Sequence, residues 1–259
     1  MLTQSIDARG VATLTLNRPE KHNALDGPTI AELHAALHSL RQRADLRVVV
    51  LTGAGQSFCA GADLVHMRSM LGASEAENRE DARALADCLR LLNEFDRPVI
   101  AKVNGNTFGG GIGLISCADV AIAVDTAQFA LSEVRLGLVP ATISPYVVAA
   151  MGARQSRRWF ITGETFDAET ARAIGLVHIV SAPAQLDQIL EQQIQLILRA
   201  GPTAAKEAKR LVRAVQGNFD FDALVASTAE LLARLRVSQE GLEGVSAFLE
   251  RRKPSWTQR

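Results

Sequence analysis

The sequence predicts an α/β protein with a mainly parallel sheet, followed by a helical C-terminal region. Three observations support this prediction. Short, continuous runs of Val, Ile and Leu recur over the first 180 residues, which is typical of strands buried on both faces. Helical patterns lie between these runs, so successive strands are joined by parallel crossovers. From about residue 185 onward the strand pattern stops and only helical patterns follow.

The elements follow one another in a regular order. The predicted strands are at 11–16, 47–52, 99–103, 119–124 and 176–180, with helices near 28–42 and 77–95 and two helical stretches before the last strand. Four C-terminal helices are predicted at 185–199, 202–216, 220–236 and 239–250, with breaks at Gly201-Pro202, Gly217-Asn218 and Gly241. Such a tail must cover its apolar faces on the core or on a second subunit, and we expect oligomerisation. The chain is therefore divided into a core domain, 1–200, and a helical region, 201–259.

Composition narrows the classes of function. Lys plus Arg and Asp plus Glu both total 28, so the formal net charge is zero and no overall field recruits nucleic acid or an anionic membrane. No apolar stretch approaches the roughly 20 residues of a transmembrane helix, and the N-terminal segment lacks the pattern of a signal peptide. The three cysteines show no C-x-x-C spacing, so neither a disulfide framework nor a metal site is predicted. We expect a cytoplasmic protein.

Two segments rich in glycine and alanine carry the strongest functional signal. They are 57–64, SFCAGADL, and 104–113, NGNTFGGGIG, and both lie next to apolar strand-like runs. Without large side chains, their backbone N–H groups can approach a ligand directly. Two such loops together predict an oxyanion hole.

These segments belong to a longer series of motifs in a fixed order. The others are NRPEKHNAL at 17–25, SCAD at 116–119, FALSEVRLGLVP at 129–140, ARAIGLV at 171–177 and AFLERRK at 247–253. With this series the chain resembles the enoyl-CoA hydratase/isomerase (crotonase) family over nearly its whole length. The resemblance implies a crotonase spiral of stacked ββα units, a C-terminal helical trimerisation region, and a homo-oligomer that is a trimer or a dimer of trimers.

The resemblance also implies an acyl-CoA substrate, in which CoA is part of the substrate and no separate cofactor is needed. The thioester carbonyl would accept hydrogen bonds from the backbone N–H groups of Ala62 and Gly110, and each such donor typically contributes roughly 10²–10³ in rate. Contacts with CoA are implied for Lys21, Ala60, Gly61, Asp63, Leu64, Gly109 and, from a neighbouring subunit, Lys253. A lysine suits a phosphate as a compact charge. Lys21 has the alternative of a solvated charge, and Lys253 that of a simple tail residue.

The chain departs from the family pattern at one catalytic position. Family hydratases place a glutamate two residues after the Gly-Gly-Gly run, and this chain has Gly113 there. Only the downstream glutamate, Glu133, remains for acid/base catalysis, with a carboxylate complementing a helix dipole as its alternative. One carboxylate leaves two reactions open, the syn hydration of a 2-enoyl-CoA and the isomerisation of a 3-enoyl-CoA to a 2-enoyl-CoA. By itself, Gly113 favours the isomerase.

A second departure favours a hydratase. After Pro140 the chain reads ATISPY where ordinary hydratases have a glycine-rich turn. Together with GGIGLISC at 110–117, this is similar to the bacterial methylglutaconyl-CoA hydratases of leucine and acyclic-terpenoid catabolism. Their substrates carry a second carboxylate, which a glutamate at 113 would repel. The candidate partners for that carboxylate are Ser144, Tyr146, Asn106, His66 and Arg68.

We therefore expect a hydratase that acts on a branched diacid 2-enoyl-CoA such as 3-methylglutaconyl-CoA. The 3-enoyl to 2-enoyl-CoA isomerase is the second interpretation. A non-catalytic oligomer that binds acyl-CoA or RNA is the alternative from another class.

Overall fold

The structure is a computed structural model that describes residues 1–217 and 220–257. Its strands are β1 (Leu2–Ile6), β2 (Val11–Leu16), β3 (Val48–Gly53), β4 (Ser57–Cys59), β5 (Val99–Val103), β6 (Asn106–Phe108), β7 (Val120–Val124), β8 (Gln128–Ala130), β9 (Thr165–Asp167) and β10 (Ile179–Ser181). Its α-helices are α1 (Gly27–Arg41), α2 (Leu64–Ser69), α3 (Glu75–Asn93), α4 (Gly110–Ser116), α5 (Ser144–Met151), α6 (Ala153–Thr162), α7 (Ala168–Ala173), α8 (Leu186–Arg199), α9 (Pro202–Val215), α10 (Phe221–Arg236) and α11 (Gln239–Leu249).

The main sheet has six strands in the order β1-β2-β3-β5-β7-β10. From β2 to β10 every neighbouring pair is parallel, and only β1 pairs antiparallel, at the edge. All six residues of β3 are buried, as expected for a strand covered by helices on both faces. The prediction of a parallel α/β core is confirmed.

A second sheet of short strands, β4-β6-β8-β9, lies beside the first. Strands β4, β6 and β8 directly follow β3, β5 and β7, so each turn of the chain adds one strand to each sheet. Helices α2 and α3 follow β4, and α4 follows β6. The stacked ββα arrangement that the resemblance implies is therefore present. The three-residue strands are too short to give a pattern of their own in the sequence.

The ends of several elements differ from the prediction. The last strand of the main sheet begins at Ile179, three residues later than expected. Leu176 and Val177 are buried in the turn after α7, where both backbone N–H groups donate to the carbonyl of Ala171. Their apolar character comes from burial in a loop, which periodicity cannot distinguish from a strand. Strand β1 was not predicted because its central residues are exposed and polar.

Two ion pairs join α9, in the C-terminal region, to the core. Lys206 Nζ lies 2.6 Å from Asp96 Oδ2, and Lys209 Nζ lies 2.7 Å from Asp119 Oδ2. Helices α10 and α11 and the turn between them leave large apolar side chains exposed, namely Phe221, Val225, Leu232, Val237, Leu242, Val245, Phe248 and Leu249. The predicted covering of these faces by a second subunit stays a prediction.

Of the predicted breaks, the one at Gly241 is wrong, because Gly241 lies in the first turn of α11 and the helix is capped by Ser238, and Asn218 lies outside the described residues. Among the helices of residues 1–217 and 220–257, none is both long and apolar enough to cross a bilayer.

Candidate active site

The first glycine-rich loop is held by a short bridge to the NRPEKHNAL segment. Leu25 N–H donates to the Gly61 carbonyl at 2.7 Å, and Asp63 N–H donates to the Leu25 carbonyl at 2.9 Å. This is a parallel bridge between Leu25 and Ala62, in which the N–H and C=O of Ala62 itself point away from Leu25. Within residues 1–217 and 220–257, the Ala62 N–H donates no hydrogen bond. It is free to bind a ligand oxygen.

Asp63 fixes the far end of the same loop. Its Oδ1 accepts hydrogen bonds from the N–H groups of Val65 and His66, which caps α2. Its Oδ2 accepts from Arg18 Nη2 at 2.9 Å, and Arg18 Nη1 lies 2.8 Å from Asp26, the cap of α1. Burial by itself raises the pKa of Asp63, but these N–H groups and the Arg18 guanidinium bring it below the ordinary value. Asp63 is therefore an ionised, buried anchor for the Ala62 loop.

Asn23 is a positioning residue that the sequence interpretation missed. It is 1% exposed and has a φ of 57°, in the left-handed region that asparagine tolerates better than most residues. Its Nδ2 donates to the carbonyls of Ala54 and Ser57, and its Oδ1 accepts from Arg18 N–H. The segment is thereby fixed against β4. An asparagine inside a turn motif was the only signal in the sequence.

The second glycine-rich loop lies against the first. Gly109 has a φ of 46°, and a Cβ atom placed on it would lie 3.9 Å from Gly61 Cα and 3.0 Å from Glu133 Oε1. Gly110 begins α4, and its N–H, like that of Ala62, donates no hydrogen bond within the part of the chain that the structure describes. A Cβ on Gly110 would lie 3.1 Å from Leu25 Cδ1. The structure therefore brings both loops and Glu133 together. Little space is left for a side chain at Gly109 or Gly110.

Glu133 begins a short 3-10 turn, Glu133–Leu136, and two residues separate this turn from the end of β8. Its Oε2 is buried and has no hydrogen-bond partner among the described residues. Burial raises the pKa of the carboxyl above its ordinary value, and a backbone hydrogen bond offsets part of that rise. A carboxyl whose pKa is raised by burial returns a proton more readily after taking it than does an ordinary carboxyl left ionised. The geometry suits proton transfer next to the two glycine-rich loops.

Gly113 is buried one turn further along α4. A Cβ atom on Gly113 would lie 2.4 Å from Ile143 Cγ2 and 2.9 Å from Ile143 Cβ. No side chain fits there unless Ile143 moves, because real Cβ atoms do not approach other atoms this closely. The absence of an acid at this position is thus built into the packing.

The two candidate phosphate-binding lysines lie in different places of the single chain. Lys21 lines an open cavity of about 420 Å³ together with Arg18, Asp63, His66 and Ser69. Lys253 lines a larger cleft, about 1520 Å³, beside α8, α11 and the C-terminal segment. One chain alone does not bring them together, and a contribution of Lys253 to a neighbouring subunit stays a prediction. Leu64, at the start of α2, is 78% exposed beside the Lys21 cavity.

The five candidate partners for a distal carboxylate differ in whether their side chains already have a polar partner within the chain. His66 Nε2 lies 2.8 Å from Asp81, Ser144 donates to the Ala141 carbonyl, and Asn106 Oδ1 accepts from Gln128 N–H. The side chains of Tyr146 and Arg68 have no hydrogen bond among the described residues. Tyr146 is half-buried, which raises the pKa of its hydroxyl, whereas Arg68 is exposed.

Comparison with known proteins gives a consistent result. The family model for enoyl-CoA hydratase/isomerase matches residues 7–259. A crotonyl-CoA hydratase from Syntrophomonas wolfei is 32% identical over 249 residues, which cover 95% of this chain and 94% of that protein. A solved enoyl-CoA hydratase from Shewanella pealeana is 40% identical with a TM-score of 0.94 and coverage of 98% and 95%. The structure of Pseudomonas aeruginosa AtuE is 37% identical, with a TM-score of 0.95 and coverage of 99% of each chain.

Proposed function

The chain belongs to the enoyl-CoA hydratase/isomerase family, and on this basis we propose that it adds water across the 2,3 double bond of an acyl-CoA thioester, with Glu133 as the group that transfers the proton. The observation that carries the proposal is the buried, unpartnered Oε2 of Glu133, with Oε1 of the same carboxyl beside Gly109. A buried carboxyl oxygen without a partner costs free energy unless a ligand completes the site.

The thioester oxygen accepts hydrogen bonds from the N–H groups of Ala62 and Gly110 in this proposal. Both donors are unpaired within the described chain and both are held by packing. As charge develops on the oxygen, the two fixed donors stabilise it without further reorganisation. The two loops lie close together, since a Cβ on Gly109 would lie 3.9 Å from Gly61 Cα, and this closeness supports the proposal that one oxygen reaches both donors.

Glu133 alone carries out the proton transfers of the reaction. Its carboxylate takes a proton from water as the water oxygen bonds to C3, and the C2–C3 π electrons move toward the thioester oxygen. The protonated Glu133 then returns the proton to C2 as the carbonyl reforms. One water is added, and both new bonds form on the same face. The raised pKa supports this cycle because the carboxyl must be a base first and an acid afterwards.

For the substrate we propose a branched 2-enoyl thioester, with 3-methylglutaconyl-CoA as the first choice. The ATISPY segment after Pro140 and Gly113 support this choice. Tyr146, at the start of α5, and Arg68, on α2, are the two candidate partners whose side chains have no hydrogen bond within residues 1–217 and 220–257. A second function, 3-enoyl to 2-enoyl isomerisation, is favoured by the packing of Ile143 against Gly113, which leaves no room for a second acid.

We also propose that the exposed apolar faces of α10 and α11 are covered in a trimer or a dimer of trimers. Eight large apolar side chains of this region are more than half exposed in the single chain, which is unusual for a helical tail without a partner. In such an assembly Lys253 of one copy would join Lys21 of the next at the CoA phosphates. Sedimentation of the parent protein and of a Phe248→Asp variant tests the assembly.

The decisive experiment uses three thioesters in D₂O: 3-methylglutaconyl-CoA, crotonyl-CoA and a 3-enoyl-CoA. Products are followed by mass spectrometry for the parent, for Glu133→Gln, and for Glu164→Gln as a matched change at a partly exposed glutamate that pairs with Arg158. We expect addition of one water to the diacid thioester and loss of turnover by on the order of 10²–10⁴ in Glu133→Gln alone.

Each other outcome has a definite meaning. Double-bond migration in the 3-enoyl substrate without addition of water identifies an isomerase. Binding of thioesters without any turnover in the parent supports the non-catalytic alternative. Full activity of Glu133→Gln overturns the assignment of Glu133.

A further inference from the structure

The side chain of Ile143 lies beside α4 at Gly113, where the helix has no side chain of its own. Gly113 is buried, and Ile143, the residue before α5, is 2% exposed. A Cβ atom on Gly113 would lie 2.4 Å from Ile143 Cγ2 and 3.5 Å from Leu89 Cδ2. Ile143 therefore uses the volume that any larger residue at 113 would need.

This contact lies close to the reacting groups. Gly113 N–H donates to the Gly109 carbonyl at 3.3 Å, so the two glycines are one helical turn apart. The Cβ direction of Gly109 meets Glu133 Oε1 at 3.0 Å, whereas that of Gly113 meets Ile143. Gly109, with a φ of 46°, is the residue before α4, and Gly113 lies in the first turn of the helix. Ile143 is thus the next group along α4 after the Glu133 carboxyl.

The reach of an acyl chain matches this spacing. From Gly110 to Gly113 a helix advances about 4.5 Å. An extended chain advances roughly 1.2 Å per bond, so four bonds from the thioester carbon cover about the same distance. A substrate that runs along α4 from the two N–H donors brings C5, four bonds from the thioester carbon, level with Gly113, so its substituents beyond C3 approach Ile143.

We propose that Ile143 is a specificity-determining residue, whose side chain, seated against Gly113, limits the size of the acyl substituent beyond C3. This inference rests on the proposed function only in that the ligand is an acyl-CoA. The limit is firm because the side chain is β-branched, has few rotamers, and is surrounded by close-packed apolar groups. Two neighbouring residues are also fully buried: Val147, whose N–H donates to the Ile143 carbonyl, and Leu89, whose Cδ2 would lie 3.5 Å from a Cβ on Gly113.

Binding of saturated thioesters tests the inference without any need for turnover. The dissociation constants of butanoyl-CoA, 3-methylhexanoyl-CoA and free CoA are measured by calorimetry for the parent, Ile143→Ala and Ile194→Ala. Ile194 is 4% exposed on α8, outside the site, and provides a matched cavity. We expect the affinity ratio of the larger to the smaller thioester to rise about tenfold in Ile143→Ala, with free CoA unchanged. Ile194→Ala leaves the ratio as in the parent.

An unchanged ratio in Ile143→Ala, or an equal rise in Ile194→Ala, overturns the inference. If Ile143→Ala does not fold, Ile143→Val removes a single methyl group, and the ratio must then rise about twofold to fourfold or the inference fails. A parent that binds these saturated thioesters but adds no water to any 2-enoyl-CoA refutes the proposed hydratase, and the binding ratio still decides the role of Ile143. A parent that binds no acyl-CoA refutes both.

Discussion

Arg18 and Asp63 form an ion pair across 45 residues of sequence, with Nη2 and Oδ2 2.9 Å apart. Their side chains are only 14% and 4% exposed. Asp63 directly follows Ala62, and Arg18 is the second residue of the NRPEKHNAL segment, which bridges to Ala62 through Leu25. The pair therefore connects the first sequence motif to the loop that carries one of the two proposed oxyanion donors.

Replacing Arg18 by Met should affect both stability and catalysis. The change keeps the length of the side chain but leaves the buried carboxylate of Asp63 without its cation. We expect the free energy of unfolding to fall by about 3 kcal/mol. kcat should fall more than KM rises, because the orientation of the Ala62 N–H matters most as charge develops on the thioester oxygen. Urea unfolding and steady-state kinetics measure the two effects.

Arg43→Met is the matched control for this change. Arg43 also pairs with an aspartate, Asp45, at 2.6 Å, but both side chains are exposed, and exposed pairs contribute little to stability. Its unfolding curve and kinetics should match those of the parent. Equal effects of the two arginine variants would show that the Arg18 pair has no special role.

Glu133→Gln should make the protein more stable at neutral and alkaline pH. Because burial raises the folded pKa of Glu133 above the ordinary value of 4.5, the neutral carboxyl is favoured in the folded state. Its stabilising contribution is fully present below about pH 4.5 and is lost as pH rises through the folded pKa. The melting temperature of Glu133→Gln should exceed that of the parent at pH 8, and the difference should disappear near pH 4.

Glu164→Gln should behave in the opposite way in the same pH series. The carboxylate of Glu164 lies 2.9 Å from Arg158 Nε, and this hydrogen bond lowers its pKa. Removing the charge at pH 8 should leave stability unchanged or slightly reduced. A Glu133→Gln variant less stable than the parent at pH 8 would contradict burial as the dominant influence on Glu133.

Gly113→Ala should destabilise the protein although alanine favours helices. Its new methyl group would lie 2.4 Å from Ile143 Cγ2, and overpacking of this kind costs about 1–3 kcal/mol. In the double variant with Ile143→Ala the cost should be smaller than the sum of the two single changes, because the two side chains compete for one volume. Chemical denaturation of the four proteins gives the coupling.

Gly27→Ala provides the comparison for Gly113→Ala. The nearest atom to a Cβ on Gly27 is His66 Cε1, at an ordinary contact distance of 3.9 Å. Its stability should be unchanged or slightly increased. Loss of stability in both glycine variants would show that the effect at 113 is not specific to Ile143.

Asp96→Ala should loosen α9 from the core. Asp96 is 7% exposed and its Oδ2 lies 2.6 Å from both Lys206 on α9 and Arg97. Without this carboxylate, Lys206 loses its partner, and hydrogen exchange in 202–215 should become faster while exchange in β3 stays slow. An exposed change, Glu80→Ala on α3, should alter neither segment. Faster exchange throughout the chain would mean global destabilisation instead.

Much of the fold was predictable because its signals are local. The runs at 11–16 and 99–103 coincide with β2 and β5, and the four C-terminal helices begin and end within one residue of their predicted ends. Buried parallel strands and amphipathic helices have characteristic periods. The second sheet was not predicted, since its strands of three residues contain too few positions to show a period.

The sequence by itself determined the α/β class, the family, the two glycine-rich loops and the single remaining glutamate, because each of these depends on residue type and order. The tertiary structure alone decided what surrounds them. Arg18 meets Asp63, and Ile143 fills the space beside Gly113, through contacts between residues far apart in the chain. Such contacts depend on how elements pack in three dimensions, and packing leaves no period or motif in the sequence.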